Sequence, residues 1–302
     1  MEGKIKHILF LSSWYPTKRR PFLGNFIQRQ AKLLSKQYKV TVLHLSSDNN
    51  LQTFETEISE DGNFKEVIIY HPKGRNAFSK YYFLKRAFKK GLETINSVDV
   101  IQGNVLFPKG IQFSWAKKHF KCPLIVMEHS SAFHLEKGEK LSLKDNYTFK
   151  SVSPHIDSLI SVSDVLKEEL NPFFKNTPID ILPNHINTEI FKPSEKEENE
   201  TVQFLHISTL DENFKNPKGM IDACKLLTDS GVQNFHFTII CDESTKKWKD
   251  YRDQLKLSEY ISFKGPFNWD IIPSFYQKAD CFILFSTYET FSIVLAEAWS
   301  CG

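Results

Sequence analysis

Apolar runs of strand length alternate along the chain with segments of helix length. The run over residues 6–11 leads through a loop into residues 25–37, whose apolar residues recur close to the helical period, and residues 39–45 form a second run. This order of strand, loop, helix and strand is typical of the opening of a doubly wound parallel sheet. The same pattern predicts further strands over residues 67–70, 98–102, 123–127, 158–162 and 179–182, and helices over residues 79–96, 110–120, 147–157 and 164–170.

Two polar stretches interrupt this pattern in the first half of the chain. Residues 50–74 are more polar than their surroundings, and the strand over residues 67–70 within them is expected to be irregular. Residues 132–146 are polar and of low hydrophobicity, so we expect a mobile loop there.

A charged segment over residues 187–201 separates the two halves of the chain. Its composition packs no core, so we interpret it as a linker. The pattern then restarts, which predicts one domain over residues 1–186 and a second over residues 202–302. The chain stops directly after a helix, where a further parallel strand is expected, so the second domain is expected to be incomplete. Its predicted strands span residues 202–207, 236–241, 261–264 and 281–285, and its helices residues 217–230, 246–257, 269–278 and 291–300.

The stretch from Asp280 to Gly302 carries the most specific chemistry. Its helix, over residues 291–300, is apolar on nearly every side and contains a single carboxylate, Glu297. We therefore expect a buried helix, in which Glu297 is either paired with a cation or available to a ligand with hydroxyls or amides. Glu289 precedes the helix, where free backbone N–H groups favour an anion. Together these features predict a binding site for a sugar nucleotide.

Composition narrows the functional classes. Apolar residues make up 41% of the chain and charged residues 25%, as in soluble globular proteins. The net charge of +3 is too small, and the basic residues are too scattered, to favour nucleic acid as a partner. The five cysteines include no C-x-x-C pair, which argues against a disulfide framework or a zinc site. No apolar run approaches the roughly 18 residues needed to span a membrane, so a cytoplasmic location is expected.

The overall pattern and two motifs resemble the GT-B glycosyltransferases, in particular the large retaining family 4 (GT4). The strongest motif is E-x7-E, from Glu289 to Glu297, in its context of strand, turn and apolar helix. Residues 181–193 resemble the hinge-proximal stretch of the family, although His185 and Asn187 replace its usual glycine and aspartate. The resemblance covers nearly the whole chain. It implies an α/β fold of two Rossmann-like, doubly wound parallel-sheet domains that face each other across a cleft.

The resemblance implies roles for residues of the second domain. Glu289 would hold hydroxyls of the donor sugar, and Glu297 would hold those of the ribose. Thr209 stands where the family has an arginine on the diphosphate, so Lys215 is expected to hold the diphosphate, with Lys218 close enough to contribute. The other donor-binding residues that the resemblance implies are Thr290, Phe291 and Ser292 through their backbone N–H groups, and Gly265 and Pro266 in the loop at the nucleotide base.

In the first domain the resemblance assigns Gly24 and Asn25 to a glycine loop that approaches the diphosphate and the acceptor. His129, just beyond the strand over residues 123–127, matches a family histidine near the reacting sugar. Open α/β sheets bind ligands at such positions beyond the carboxyl ends of strands. Plainer interpretations compete with these roles: a turn glycine for Gly24, and a structural histidine for His129.

The implied function is transfer of a sugar, with retention of configuration, from a UDP- or GDP-linked donor to a sugar or lipid-linked acceptor. Lys215 and a helix N-terminus can stabilise the leaving diphosphate, and the chain has no D-x-D triplet, so neither a metal nor a cofactor is expected. The basic helix over residues 79–96 is a candidate for peripheral contact with the inner face of the membrane.

Other functions remain open on the sequence. A non-catalytic module that binds nucleotide sugars is favoured by Thr209 at the usual arginine position. A sugar-nucleotide epimerase or a phosphorylase would use the same fold, but the E-x7-E spacing and residues 181–193 argue against both. A dinucleotide-dependent oxidoreductase is disfavoured because no G-x-G-x-x-G follows a strand.

Overall fold

The computed structural model describes residues 6–136, 138–196, 199–242 and 244–302. The chain divides into two compact units, one that ends at Pro183 and one that begins at Asn184. A separate linker over residues 187–201 remains a prediction, and two of its residues, Glu197 and Glu198, lie outside the described residues.

The described residues of the first unit form one sheet of eight strands. These are β1 (His7–Ser12), β2 (Lys39–Asp48), β3 (Glu55–Asp61), β4 (Phe64–Pro72), β5 (Val100–Asn104), β6 (Leu124–Glu128), β7 (Ser158–Ser161) and β8 (Ile179–Ile181). The helices are α1 (Asn25–Ser35), α2 (Ala77–Leu92), α3 (Ile111–Phe120), α4 (Leu143–Val152) and α5 (Asp164–Leu170). The strand order is β3–β4–β2–β1–β5–β6–β7–β8, and neighbours run parallel except β3 and β4. Apolar residues face both sides of β1, as expected for a parallel strand covered on both faces.

Strands β3 and β4 form a hairpin where the polar sequence led us to predict one irregular strand over residues 67–70. The prediction was wrong in extent, because β4 has nine residues and β3 lies beside it at the edge of the sheet. Most residues of β3 are polar and exposed, so it lacks the alternation that indicates a strand. A charged edge of this kind discourages pairing with another chain.

The polar stretch over residues 132–146 contains the start of a helix rather than a loop alone. Helix α4 begins at Leu143 and not at the predicted residue 147, because the hydroxyl of Ser142 accepts a hydrogen bond from the N–H of Asp145 and caps the first turn. The remaining predicted elements of the first unit are present, with ends shifted by a few residues.

The second unit is a smaller parallel sheet of four strands in the described part of the chain. These are β9 (Val202–Ile207), β10 (Phe235–Ile240), β11 (Ile261–Lys264) and β12 (Cys281–Phe282), in the order β11–β10–β9–β12. The helices are α6 (Glu212–Lys215), α7 (Pro217–Asp229), α8 (Lys246–Gln254), α9 (Ile272–Lys278) and α10 (Ile293–Ser300). The short helix α6 was not predicted, since four residues are too few for a periodic pattern.

Two predictions about the second unit were wrong. The charged segment does contribute to a core, because Phe191 is 1% exposed and packs on the rings of Trp269 and Tyr276. Helix α10 is not buried on nearly every side: Glu297 is its one buried residue, and Trp299 is 75% exposed. Apolar composition alone does not show which faces of a helix are covered.

Candidate functional site

The second unit places Lys215 directly against Glu289. Lys215 ends α6, and its Nζ lies 2.5 Å from Oε1 of Glu289. The same oxygen accepts a hydrogen bond of 2.7 Å from the hydroxyl of Ser286. The two charged side chains are 22% and 25% exposed. The ion pair is therefore sheltered from bulk water but still open to a ligand.

Backbone contacts hold the turn that carries Glu289 against α6. Thr287 donates its N–H to the carbonyl of Phe214 at 2.8 Å and its hydroxyl to the carbonyl of Asn213 at 2.9 Å. Asp211 caps the same helix, since its carboxylate accepts a hydrogen bond from the N–H of Asn213. The geometry of the ion pair is thus fixed by the fold around it as well as by its own attraction.

A buried histidine, His206, joins the ends of β9 and β12 next to this pair. Its Nδ1 donates to the carbonyl of Ile283 at 2.8 Å, and its Nε2 lies 2.7 Å from the hydroxyl of Ser208, which accepts from the N–H of Leu210. Burial lowers the pKa of His206 to about 4, and the charge of Lys215 adds to the effect. Sequence reasoning missed His206, whose available signal was a polar residue inside an apolar strand.

Glu297 is 4% exposed and faces two aromatic donors of the preceding segment. Its Oε2 accepts a hydrogen bond of 3.2 Å from the hydroxyl of Tyr276, and its Oε1 lies 3.5 Å from the indole nitrogen of Trp269. Both groups are neutral, so these contacts orient the carboxylate without neutralising its charge.

The residues between the two glutamates lead into α10, which begins at Ile293. Thr290 and Phe291 lead to Ser292, which immediately precedes the helix, and the N–H groups of the first helical turn have no acceptor within the helix. The buried hydroxyl oxygen of Ser292 has no hydrogen-bond partner among the residues that the structure describes. A polar ligand at this point would satisfy it.

The other predicted donor-binding residues lie on neighbouring loops. Thr209 is exposed directly after β9, and Gly265 and Pro266 are exposed directly after β11. Lys218 is engaged elsewhere, because its Nζ lies 2.6 Å from Asp222 and 5.3 Å from the centre of the Tyr251 ring. The structure therefore brings Lys215 to Glu289 and turns Lys218 toward α8.

In the first unit His129 lies immediately beyond β6 and is 6% exposed. The residue before it, Glu128, is buried and was missed as a site residue. One Glu128 oxygen accepts hydrogen bonds from the N–H groups of His129 and Ser130 at 2.9 Å, and the other from the N–H of Leu106 at 2.9 Å. Burial raises the pKa of Glu128, against the effect of these donors. The carboxylate fixes the loop that carries His129.

Gly24 precedes α1 and packs against the loop that follows β1. Its φ of 68° is left-handed, and a Cβ at this position would lie 2.7 Å from the backbone carbon and oxygen of Trp14. Asn25 begins the helix, and the ring of Phe26 lies 4.9 Å from the ring of His129. The structure thus gathers Gly24, Asn25 and His129 at the carboxyl edge of the first sheet.

Two family models match this chain. Residues 23–190 match Glycosyltransferase Family 4, and residues 187–302 match glycosyl transferases group 1. The first match covers more than half of the chain. The chain belongs to Glycosyltransferase Family 4. The predicted resemblance to this family is confirmed, and with it the prediction of a glycosyltransferase.

Individual relatives of this family 4 glycosyltransferase agree with the match. A Methanocaldococcus jannaschii protein, named an uncharacterized glycosyltransferase, is 28% identical over 99% of this chain and 77% of its own length. Sucrose-phosphate synthase from Thermosynechococcus elongatus has a TM-score of 0.76 at 14% identity, over 98% of this chain and 79% of that one. A structure described as trehalose-6-phosphate from E. coli bound with UDP-2-fluoro glucose has a TM-score of 0.70 at 10% identity, over 97% of this chain and 81% of that one. The predicted α/β GT-B fold with parallel sheets is confirmed.

The residues that the structure describes contain neither a cluster of metal ligands nor a membrane-spanning helix. No three His, Cys, Asp or Glu side chains within them are arranged to hold a metal ion. No helix within them is both long enough and apolar enough to cross a bilayer. Transfer without a metal and a cytoplasmic location stay predictions.

Proposed function

We propose that this family 4 glycosyltransferase transfers a sugar from a nucleoside diphosphate donor to a sugar or lipid-linked acceptor, with retention of the anomeric configuration. The main support for the proposal is the ion pair of Lys215 and Glu289. It places a cation next to a carboxylate that can accept hydrogen bonds from sugar hydroxyls, close to the start of α10. The proposed donor is UDP- or GDP-linked. The E. coli neighbour that is bound with UDP-2-fluoro glucose supports a uridine nucleotide.

Lys215 would stabilise the leaving group. The difficult charge in glycosyl transfer develops on the diphosphate, and an ammonium held in place by the fold stabilises it without reorganisation. The backbone N–H groups of residues 290–292 add a partial positive charge at the start of α10. When the diphosphate engages Lys215, the carboxylate of Glu289 is released to accept hydrogen bonds from the donor sugar. The proposal includes no metal and no cofactor.

Glu297 would bind the nucleoside part of the donor. A carboxylate accepts hydrogen bonds from both hydroxyls of a ribose, and the hydroxyl of Tyr276 and the indole of Trp269 hold it in one orientation. Gly265 and Pro266 would contact the base from the loop after β11. Thr209 and Lys218 complete the proposed set, with Lys218 exchanging its contact with Asp222 for the diphosphate.

The first unit would supply the acceptor side of the reaction. His129 is proposed to orient hydroxyls of the reacting sugar or acceptor, and Glu128 holds its loop in place. Gly24 allows close approach of the backbone at the start of α1, and Asn25 follows it with an amide side chain. No residue is assigned as a nucleophile.

A lipid-linked acceptor would require contact with a membrane, and α2 is the proposed contact. Phe78 is 80% exposed and Tyr82 44% exposed on this helix. Basic side chains accompany them, and the guanidinium of Arg86 lies 5.6 Å from the centre of the Tyr82 ring. Aromatic and basic residues together favour the interface of an anionic bilayer. The proposed surface is the inner face of the membrane.

Calorimetric titration with a panel of UDP- and GDP-linked sugars tests the donor. We expect saturable binding of at least one member, and its hydrolysis or transfer to an acceptor under turnover conditions. No saturable binding across the panel would overturn the proposed donor class. Analysis of the anomeric configuration of the product by NMR tests retention separately.

A second candidate function is a module that binds nucleotide sugars without turnover. Thr209 at the usual arginine position favours it, because one cation of the expected diphosphate site is absent from that position. Binding without any release of nucleoside diphosphate, in the presence of a broad acceptor mixture, would select this alternative. Thr209→Arg would then be expected to tighten binding of the diphosphate.

A further inference from the structure

The first unit also contains a cavity of about 480 Å³. Its lining residues come from several segments of the chain, the first of them Ser13 and the last Lys109. Its walls come from the last residues of β2 and from the segments that follow β1, β2, β4 and β5, which are neighbours in the sheet. The cavity therefore lies at the carboxyl ends of four parallel strands, where open α/β sheets bind ligands. Leu23, next to Gly24, also lines it. We call this cavity the unit 1 basic pocket.

Four basic side chains and one carboxylate line the unit 1 basic pocket. The carboxylate, Asp48, is 3% exposed and forms an ion pair with Arg19. The other three basic residues are Arg20, Lys73 and Lys109, and none of them is paired with a carboxylate among the described residues. The pocket thus has a net positive charge that the protein itself does not compensate.

Lys109 is the most constrained of these cations. Its Nζ donates to the carbonyl of Leu45 at 2.5 Å, and its backbone N–H donates to the hydroxyl of Ser13 at 2.9 Å. Burial lowers the pKa of Lys109 to about 8, and the charge of Arg20 adds to the effect. A cation desolvated in this way gains more from a bound anion than an exposed lysine does.

The polar groups around these cations suit a hydroxylated molecule. His44 is 2% exposed, its Nδ1 donates to the carbonyl of Ser12, and burial holds its pKa well below the usual range, so it is a neutral ring. Ser46, Ser47 and Asn49 line the same wall. The volume is within the range of roughly 300–1,000 Å³ that is typical of small-molecule sites.

We propose that the unit 1 basic pocket binds a phosphate group of the acceptor, with Lys109 and Arg20 as its principal ligands. The inference rests on the proposed function, since it names the chemical class of the acceptor for that transfer. Two sources have this chemistry: a sugar phosphate in solution and the diphosphate of a lipid-linked sugar. The neighbouring hydroxyls and amides would contact the sugar that carries the phosphate.

Direct binding tests the proposal without reference to sugar transfer. Glucose 6-phosphate, glucose and inorganic phosphate are titrated calorimetrically into the full chain. Phosphatidylcholine vesicles with and without a polyprenyl diphosphate sugar are tested by co-sedimentation. We expect glucose 6-phosphate to bind at least about tenfold more tightly than glucose, or the loaded vesicles to bind at least about tenfold more tightly than the unloaded ones, since a charge-assisted hydrogen bond then forms with the added phosphate or diphosphate. Binding of glucose 6-phosphate identifies a soluble acceptor, and binding of the loaded vesicles alone identifies a lipid-linked one.

Three variants locate the phosphate. Lys109→Met and Arg20→Met are each expected to weaken binding about tenfold. Lys18→Met is the matched control, because Lys18 is in the same loop but is exposed and paired with Glu57, so its loss should change binding by less than about twofold. The exposed Arg20 keeps the test valid if Lys109→Met folds poorly. UDP- or GDP-sugar binding by all three variants should equal that of the wild type.

Several outcomes would overturn the inference. One is that glucose 6-phosphate binds no better than glucose and the loaded vesicles bind no better than the unloaded ones. Another is that Arg20→Met and Lys18→Met bind the phosphorylated probe equally well. A third is that inorganic phosphate binds but no sugar phosphate or loaded vesicle competes with it, since the pocket would then not be an acceptor site. A failed donor panel with intact phosphate binding would count against the proposed function and leave the anion site in place.

Discussion

The ammonium of Lys215 lies 2.5 Å from a carboxylate oxygen of Glu289, a residue 74 positions further along the chain. Lys215 ends α6, which follows β9, and Glu289 lies in the turn that follows β12; these two strands are paired in the sheet. A ligand that contacts both residues therefore joins two separate segments of the chain. In a largely buried ion pair the cost of desolvating two charges offsets much of their attraction, so the use of this pair is better sought in the reaction than in folding.

We expect Lys215→Met to lower the rate of transfer strongly while the protein stays folded. Loss of one preorganised group at the developing charge should reduce kcat by about 10²–10³-fold. The free energy of unfolding should fall by roughly 1–3 kcal/mol, because Glu289 loses its cation but keeps its hydrogen bond from Ser286. Steady-state kinetics with the donor found in the panel, and urea unfolding of both proteins, measure the two effects.

The matched control for this variant is Lys225→Met. Lys225 lies on α7 and forms an ion pair with Asp229 one turn away, so the same chemical change is made outside the site. Its kcat should stay within about twofold of the wild-type value. If Lys215→Met kept the wild-type kcat, the role of Lys215 at the leaving diphosphate would be wrong.

Glu297→Ala is expected to weaken donor binding by about 10–100-fold, because hydrogen bonds to a charged group contribute roughly 1.5–3 kcal/mol. The loss should depend on the ribose. Wild-type protein should bind the ribonucleotide more tightly than its 2′,3′-dideoxy analogue, and Glu297→Ala should not distinguish the two. Calorimetric titration of both ligands against both proteins gives the complete cycle.

Tyr276→Phe is the conservative companion of this experiment. It removes the donor 3.2 Å from Oε2 of Glu297 and keeps the carboxylate. A loss of about tenfold or less is expected, since one neutral hydrogen bond contributes about 1 kcal/mol. If Glu297→Ala still bound the ribonucleotide more tightly than the dideoxy analogue, by the same factor as the wild type, the ribose would not bind at Glu297.

Periodicity predicted most of the fold because buried parallel strands are apolar throughout, as in β1. It failed where solvent covers one side of an element. Strand β3 is polar because it is an exposed edge, and α10 looked buried because its exposed Trp299 is apolar. The pattern of polar and apolar residues shows the character of each side chain, but not which other segments pack against it.

The candidate site was predictable only as far as local motifs reach. The spacing from Glu289 to Glu297 is visible in the sequence, but the contact of Glu289 with Lys215 depends on the pairing of β12 with β9. His206 and Glu128 were missed for the same reason. Each is a buried polar residue at a strand end with one hydrogen-bond partner from a distant segment, Ile283 for His206 and Leu106 for Glu128.

Gly24→Ala is expected to destabilise the first unit by about 2–4 kcal/mol. The left-handed backbone costs an L-residue roughly 1–2 kcal/mol, and the added Cβ would overlap the backbone of Trp14, which cannot move as a side chain can. Gly62→Ala is the control, since Gly62 has a similar φ of 57° with nothing within 4 Å of a Cβ. Gly62→Ala should lose only the roughly 1–2 kcal/mol that the left-handed backbone costs. Equal losses of unfolding free energy for Gly24→Ala and Gly62→Ala, measured in guanidinium, would contradict the close approach of Gly24 to Trp14.

The pH dependence of stability should report the buried state of His206. Its pKa falls from 6.5 to about 4 on folding, so the folded protein prefers the neutral ring. The resulting stabilisation is complete above pH 6.5 and is lost as the pH falls toward 4, by roughly 2–3 kcal/mol at pH 4.5. His206→Asn, whose amide can still donate to the carbonyl of Ile283, should lack this part of the dependence.

The exposed His185 provides the control, and His185→Asn should follow the wild type. Unfolding free energies of the three proteins at pH 7 and pH 4.5 measure the difference. If wild type and His206→Asn lost the same unfolding free energy between pH 7 and pH 4.5, burial would not be what keeps the ring of His206 neutral.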